Sequence, residues 1–294
     1  MSPLLDLTIA IPVKNEEKNL PKCLAAIGDD FASRVVVIDS NSTDRTCELA
    51  MGFGAEVIEF AWNGKFPKKR NWYLRNHTPN TKWILFLDAD EYLTEDFKNE
   101  VRKALQKDDK VGFWLSYTVY FLGKQLKGGY PLRKLALFQV GAGEYEWVDE
   151  EQWSELDMEV HEHPVLKGEV GVIRSKIDHQ DFRGVSNFVI KHNEYASWEA
   201  ARFLRGASDP KFFAKLTWKQ RLKYRLMQNS VLLGPAFFCG SFFLLGGFRD
   251  GARGLAHAIL RMSYYVQVFC KIRELKLKES KAILQRTSEA PQSV

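Results

Sequence analysis

The chain has 294 residues, 45% of them hydrophobic and 27% charged, with a formal net charge of +5. That composition supports one large folded domain with or without an appendage, and it excludes an intrinsically disordered chain. Cys23, Cys47, Cys239 and Cys270 form no close pair and no metal-binding spacing, which excludes a disulfide scaffold or a structural zinc site and fits a reducing compartment.

In chain order, the first hundred residues alternate short β-rich runs with helical patterns. Leu7–Ile11 reads as a strand, residues 16–27 as a helix with Leu20, Leu24 and Ile27 on one face, and Arg34–Ile38 as a second strand. Ser42-Thr43-Asp44 opens a helix that runs through Ala50. Val57–Phe60 is a third strand, Lys68–Asn76 a helix, and Trp83–Leu87 a fourth strand. The alternation predicts an α/β fold with a mainly parallel sheet and helices on both faces. The early Asp6 argues against a signal peptide and assigns Leu7–Val13 to the sheet.

Further on, Phe113–Phe121 and Leu135–Gln139 read as strands around a Gly128-Gly129-Tyr130-Pro131 turn, and Val170–Ile177 as another. From Val185 the pattern is helical. Charge is distributed unevenly: residues 211–281 carry 14 Lys or Arg against 3 Asp or Glu, whereas residues 1–210 carry 27 against 33. Lys211–Arg225 interleaves basic residues with Phe, Leu, Trp and Tyr, the composition of an interfacial helix. Leu226–Phe248 has no charge, but Gly234-Pro235, Gly240 and Gly246-Gly247 punctuate it. Flat or re-entrant attachment to a membrane is therefore favoured over a span and over a soluble helical subdomain or oligomer interface, and nucleic acid is disfavoured as the anionic partner. The expected division is residues 1–205 for the α/β domain, 206–285 for a helical membrane-attachment segment, and 286–294 for a disordered tail.

Three polar clusters follow predicted strands: Pro12 to Glu17, Asp39-Ser40, and Asp88-Ala89-Asp90. Open α/β sheets bind ligands at the carboxyl ends of their strands, so the three converge on one crevice. Two carboxylates one residue apart suit a hard divalent cation bridging a diphosphate, the leaving group of sugar transfer from a nucleotide sugar. Taken alone, the same acids also fit a strand-end turn before a helix cap at Thr94.

With Ile11–Glu17, Val37–Asp44, Lys68–Trp72, Leu87–Glu91 and Val160–His163 in view, the chain resembles the inverting family 2 glycosyltransferases of the GT-A fold. Among them it is most similar to the bacterial lipopolysaccharide-core β-glucosyltransferase type. The resemblance implies a nucleotide-sugar donor, a uridine diphosphate sugar most often. It places Pro12, Asn15 and Glu17 at the nucleoside, Asp39 on the base, Asp44 and Arg70 at further nucleotide contacts, and Lys69 at the phosphates. Asp88 would hold ribose or a metal-bound water, and Asp90 would ligate Mg or Mn, with His161 as an extra ligand or an acceptor contact. Inverting transfer needs a carboxylate base, assigned to Glu162 with Glu159 as alternate. The acceptor would be a lipopolysaccharide-core or lipid-linked glycan at the cytoplasmic face of the bacterial inner membrane. Where such enzymes often carry arginines, the strand after the Tyr-Pro turn here begins at Lys134. The competing functions are a sugar-phosphate nucleotidyltransferase, which would need a Gly-rich phosphate loop where Pro12–Asn15 stands, and a non-catalytic membrane scaffold.

Overall fold

The computed structural model describes residues 3–64, 66–107, 109–146, 163–207, 218–229 and 231–288. The chain divides into two compact units, one of residues 1–125 and 131–182 and the other of residues 126–130 and 183–294.

The first unit is built on β1 (Leu5–Val13), β2 (Ala32–Asp39), β3 (Glu56–Glu59) and β4 (Trp83–Phe86). These pair in parallel in the spatial order β3-β2-β1-β4. Beyond β4 the sheet continues through β9 (Arg133–Gln139), β6 (Gly112–Tyr117), β12 (Val170–His179) and the short β5 (Glu91–Tyr92). β9 runs antiparallel to both neighbours, so the sheet is mixed. Two small hairpins complete the strands, β7 (Tyr120–Phe121) with β8 (Lys124–Gln125) and β10 (Gly143–Tyr145) with β11 (Pro164–Leu166). The expected α/β architecture, with helices on both faces of the sheet, is present.

The central strands are apolar along both faces because both faces are covered. Leu7, Ile9, Ile11, Val37, Leu85 and Leu87 share one core with Leu20, Leu24 and Ile27 of α1 (Leu20–Ile27), Ala50 of α2 (Thr46–Gly52), and Phe97 and Val101 of α4 (Glu95–Leu105). Ala10, Val36, Ile38, Ile84, Phe86 and Phe138 share the other with Tyr73 and Leu74 of α3 (Lys69–Asn76) and with Tyr145. The period-2 alternation of strand side chains thus sorts adjacent residues into opposite cores. α4 is capped by Thr94, whose hydroxyl accepts the Phe97 amide at 3.2 Å, with Glu95 and Asp96 in its first turn and Arg102 and Lys103 in its last.

The second unit is helical: α5 (Gly184–Ala207), a helix over Trp218–Asn229, a short helix Leu233–Cys239, a π turn Gly240–Leu244, a 3-10 turn Gly247–Asp250 and a long helix Gly251–Ser288. Ala196, Ala200 and Phe203 of α5 pack with Met227 and with Tyr264, Val268 and Ile272 of the long helix. That core assigns α5 to the second unit rather than to the 1–205 domain. The long helix continues through Ser288, beyond the expected start of a disordered tail at 286. Among the described residues, no helix is long and apolar enough to cross a membrane.

Phe97 is fully buried between α4 and the sheet. We expect Phe97→Ala to cost about 3–5 kcal/mol of folding stability, read from denaturant unfolding.

Candidate active site

The loops leaving β1 and β2 are knitted together by their polar side chains. Asn15 adopts a left-handed backbone (φ 56°), which asparagine tolerates better than most residues. Its side-chain oxygen accepts the Thr43 amide at 2.8 Å, and its own amide donates to Ser42 Oγ at 2.8 Å. Asp39, buried at the end of β2, accepts the Ser42 amide at 2.9 Å on Oδ2 and the Ser42 hydroxyl on Oδ1. Asp44 accepts the Glu17 amide at 3.2 Å and the Thr46 amide at 3.0 Å, while Glu17 accepts the Arg45 amide at 3.2 Å. Burial works to raise the Asp44 carboxyl, but the donors from Thr46 and the Glu17 amide outweigh it and hold the group below its ordinary value. Pro12 is buried within β1, opposite Ile38. These bonds fix the mutual position of two strand ends.

A second cluster lies at the end of β4. Arg70 Nη2 donates to Asp88 Oδ1 at 2.9 Å, and Lys134 Nζ donates to Asp88 Oδ2 at 2.6 Å. Lys134 also donates to Glu91 Oε1, and Glu91 Oε2 accepts the Asp88 amide at 3.1 Å. Burial alone would raise Asp88, but the charges of Lys134 and Arg70 outweigh it and hold the carboxyl far below the usual range. Glu91 is 1% exposed, and burial, reinforced by the Asp88 and Asp90 charges, pushes it up to about 8 against the pull of Lys134.

Asp90 points a different way. Its Oδ1 lies 3.6 Å from Nε2 of His179, the last residue of β12. The antiparallel pairing of β12 with β5, with His179 opposite Glu91, produces this approach, and the Gln180 amide donates to the Asp90 carbonyl at 2.9 Å. Burial lowers the His179 imidazole below its ordinary value, with the Asp90 charge opposing.

Two expected site residues, Asp88 and Lys69, are engaged by other groups of the chain. Both Asp88 oxygens are engaged by cations, so Asp88 does not stand as a direct metal ligand. Lys69 is 2% exposed and its ammonium donates to the Val13 carbonyl at 3.0 Å, tying α3 to the end of β1 rather than extending toward a phosphate. Glu159, His161 and Glu162 lie outside the described residues. Among the described residues, no group of three or more His, Cys, Asp or Glu forms a metal cluster, so Asp90 and His179 make a two-donor pair.

Lys134, Glu91 and His179 belong to the cluster but were not singled out for it in the sequence. Glu91 adjoins the Asp-x-Asp stretch. Lys134 and His179 are distant in sequence and sit at a strand start and a strand end, the positions where α/β sheets collect ligand-binding groups.

Residues 8–144 match the sequence model of Glycosyl transferase family 2. Over 110 residues the chain is 32% identical to a TPR repeat-containing protein of Synechococcus elongatus, covering 37% of this chain and 27% of that one. Over 100 residues it is 34% identical to the SPbeta prophage-derived glycosyltransferase SunS of Bacillus subtilis, covering 33% and 23%. The chain thus spans about a quarter of the length of these relatives. An uncharacterized glycosyltransferase of Rickettsia typhi is 23% identical over 287 residues, covering 93% of this chain and 88% of the relative. Among solved structures, glucosyl-3-phosphoglycerate synthase from Mycobacterium tuberculosis, in complex with Mn2+, uridine diphosphate and glucosyl-3-phosphoglycerate, is 21% identical over 36% of this chain and 42% of that one, with a TM-score of 0.31.

Removing Lys134 leaves Asp88 and Glu91 short of a shared cation. We expect Lys134→Ala to destabilise the fold by about 3–5 kcal/mol at pH 8, the cost of breaking a largely buried ion pair. The deficit depends on ionised carboxylates, so it shrinks as pH falls and Glu91 takes up a proton. Thermal melts of variant and wild type at pH 8 and pH 5 compare the two gaps.

Proposed function

We propose, from the match of residues 8–144 to the model of Glycosyl transferase family 2, that the chain is an inverting, metal-dependent enzyme transferring a hexose from a nucleoside-diphosphate sugar, a uridine diphosphate sugar in our reading, to a glycan acceptor. The observation that carries this reading is the Asp90–His179 pair beside the cation-held Asp88, at the carboxyl end of β4.

A carboxylate oxygen and an imidazole nitrogen suit Mn as well as Mg, and a cation that also binds diphosphate oxygens needs only one or two protein ligands. Asp90 and His179 fit that requirement. When bound, the ion supplies charge stabilisation to the departing nucleoside diphosphate. The remaining tasks fall to the chain's own groups. Asp39, held by Ser42, offers acceptor lone pairs to a base N–H. Asn15, Glu17 and Asp44 hold the adjoining loop in shape around the nucleoside. Arg70 and Lys134 orient Asp88, which receives a ribose hydroxyl or a metal-bound water. Deprotonation of the acceptor hydroxyl is assigned to Glu162, with Glu159 as alternate, and His161 to an extra ligand or an acceptor contact.

The acceptor in this reading is a lipopolysaccharide-core or lipid-linked glycan at the cytoplasmic face of the bacterial inner membrane. Support comes from the helix Trp218–Asn229, where Trp218, Arg221, Leu222, Arg225 and Leu226 are all exposed and recur at three and four residues. Arginines beside exposed aromatic and aliphatic groups suit an anionic lipid surface. The unpaired cysteines fit a reducing compartment.

With Mn present, wild-type protein should release free nucleoside diphosphate from its preferred nucleotide sugar, and chelation should stop the release. Asp90→Asn should lower the rate by about 10²–10³-fold with the melting temperature nearly unchanged, since it removes charge stabilisation of the leaving group. Asp39→Asn should act chiefly on the donor KM. Pyrophosphate as the product, or chelator-insensitive turnover, would contradict the assignment.

A further inference from the structure

The segment after the Trp218–Asn229 helix has a shape of its own. Leu232, Pro235, Ala236, Cys239 and Phe243 are exposed at helical spacing along the Leu233–Cys239 helix and the π turn, a solvent-facing stripe without a charge. At its end Leu244 is 86% exposed, the highest value among the exposed large hydrophobic side chains of the described residues, and Phe243, Leu245 and Phe248 flank it. Arg225 and Arg249 bracket this uncharged stretch, and both are exposed.

The tip is firmly rooted. Asp250, the single acidic residue between positions 226 and 273, turns away from it and accepts the amides of Lys127 and Gly128, each at 3.0 Å. The Gly129 amide donates to the Leu245 carbonyl at 2.9 Å. At Gly128 an added Cβ would fall 2.0 Å from the Gly246 carbonyl oxygen, so two backbones meet where no side chain fits. The apolar tip is thus a built feature with its one carboxylate withdrawn and basic residues left at its edge.

We propose that Leu232–Phe248 is a membrane wedge that enters one leaflet of a bilayer bearing anionic headgroups, with Arg225 and Arg249 at headgroup depth. This deepens the membrane-surface reading above and is independent of the donor chemistry. Length supports a wedge over a span: the twelve residues of the helix and π turn rise about 18 Å, against a hydrocarbon core of about 30 Å. Charge supports lipid over a second copy of the chain, because a basic rim repels its own image and attracts phosphatidylglycerol.

The test is flotation of the full chain with vesicles of phosphatidylethanolamine plus phosphatidylglycerol, and of phosphatidylcholine alone. Wild type should partition to the anionic vesicles. The double variant Phe243→Glu, Leu244→Glu should lose about ten-fold or more of that partitioning while keeping its melting temperature and its release of nucleoside diphosphate. The milder Leu244→Ser should show a smaller loss in the same direction. Flotation of the double variant within two-fold of wild type would overturn the proposal. So would a wild type that never floats, or a dimer that the double variant converts to monomer with flotation unchanged. Lost flotation with donor turnover intact, and lost turnover with flotation intact, separate failure of the wedge from failure of the enzymatic reading.

Discussion

The site depends on how three carboxylates are accommodated within four residues at the end of a buried strand. Two like charges at 4 Å repel by about 4 kcal/mol at an effective dielectric of 20, so Asp88, Asp90 and Glu91 cannot share that end unaided. The structure gives each a different environment. Asp88 lies between Arg70 and Lys134, Glu91 is buried with its carboxyl pushed up to about 8, and Asp90 faces an imidazole. This division leaves Asp90 facing His179, the pair to which we assign the divalent ion.

Secondary structure enforces the division. Lys134 is the second residue of β9, the strand that reverses direction against β4, so the mixed character of the sheet brings this cation to the Asp-x-Asp stretch. His179 ends β12, and its pairing with the two-residue β5 carries it to Asp90. The loops after β1 and β2 contribute no cation to the cluster. They interlock through Asn15, Asp39 and Asp44 and hold the neighbouring rim rigid. A preorganised rim of this kind limits the entropy lost when a nucleotide binds.

Much of this was legible in the sequence. The apolar runs of β1, β2 and β4 are continuous because both sheet faces are covered, and polar residues begin where each strand leaves the core. Asn15, Asp39 and Asp90 follow from that pattern, whereas Asp44 and Arg70 are implied only by the family resemblance. Long-range pairing is harder to read. Lys134 looked like a departure from an arginine pattern, yet it is the cation shared by Asp88 and Glu91. Lys69 sits in a basic triplet that reads as phosphate-facing, but its side chain reaches the Val13 carbonyl. The helix Glu95–Leu105 was legible only as a cap at Thr94, although Phe97 and Val101 mark its buried face. α5 carries small residues, Ala196 and Ala200, that pack with the long helix in the second unit.

The most direct measurement is a crystal structure of the protein with manganese and a nucleoside diphosphate. The account predicts the ion within coordination distance of Asp90 and His179, bridging to the diphosphate, with Asp88 still held by Arg70 and Lys134. A diphosphate bound away from the end of β4, or an ion that ignores Asp90, would contradict it.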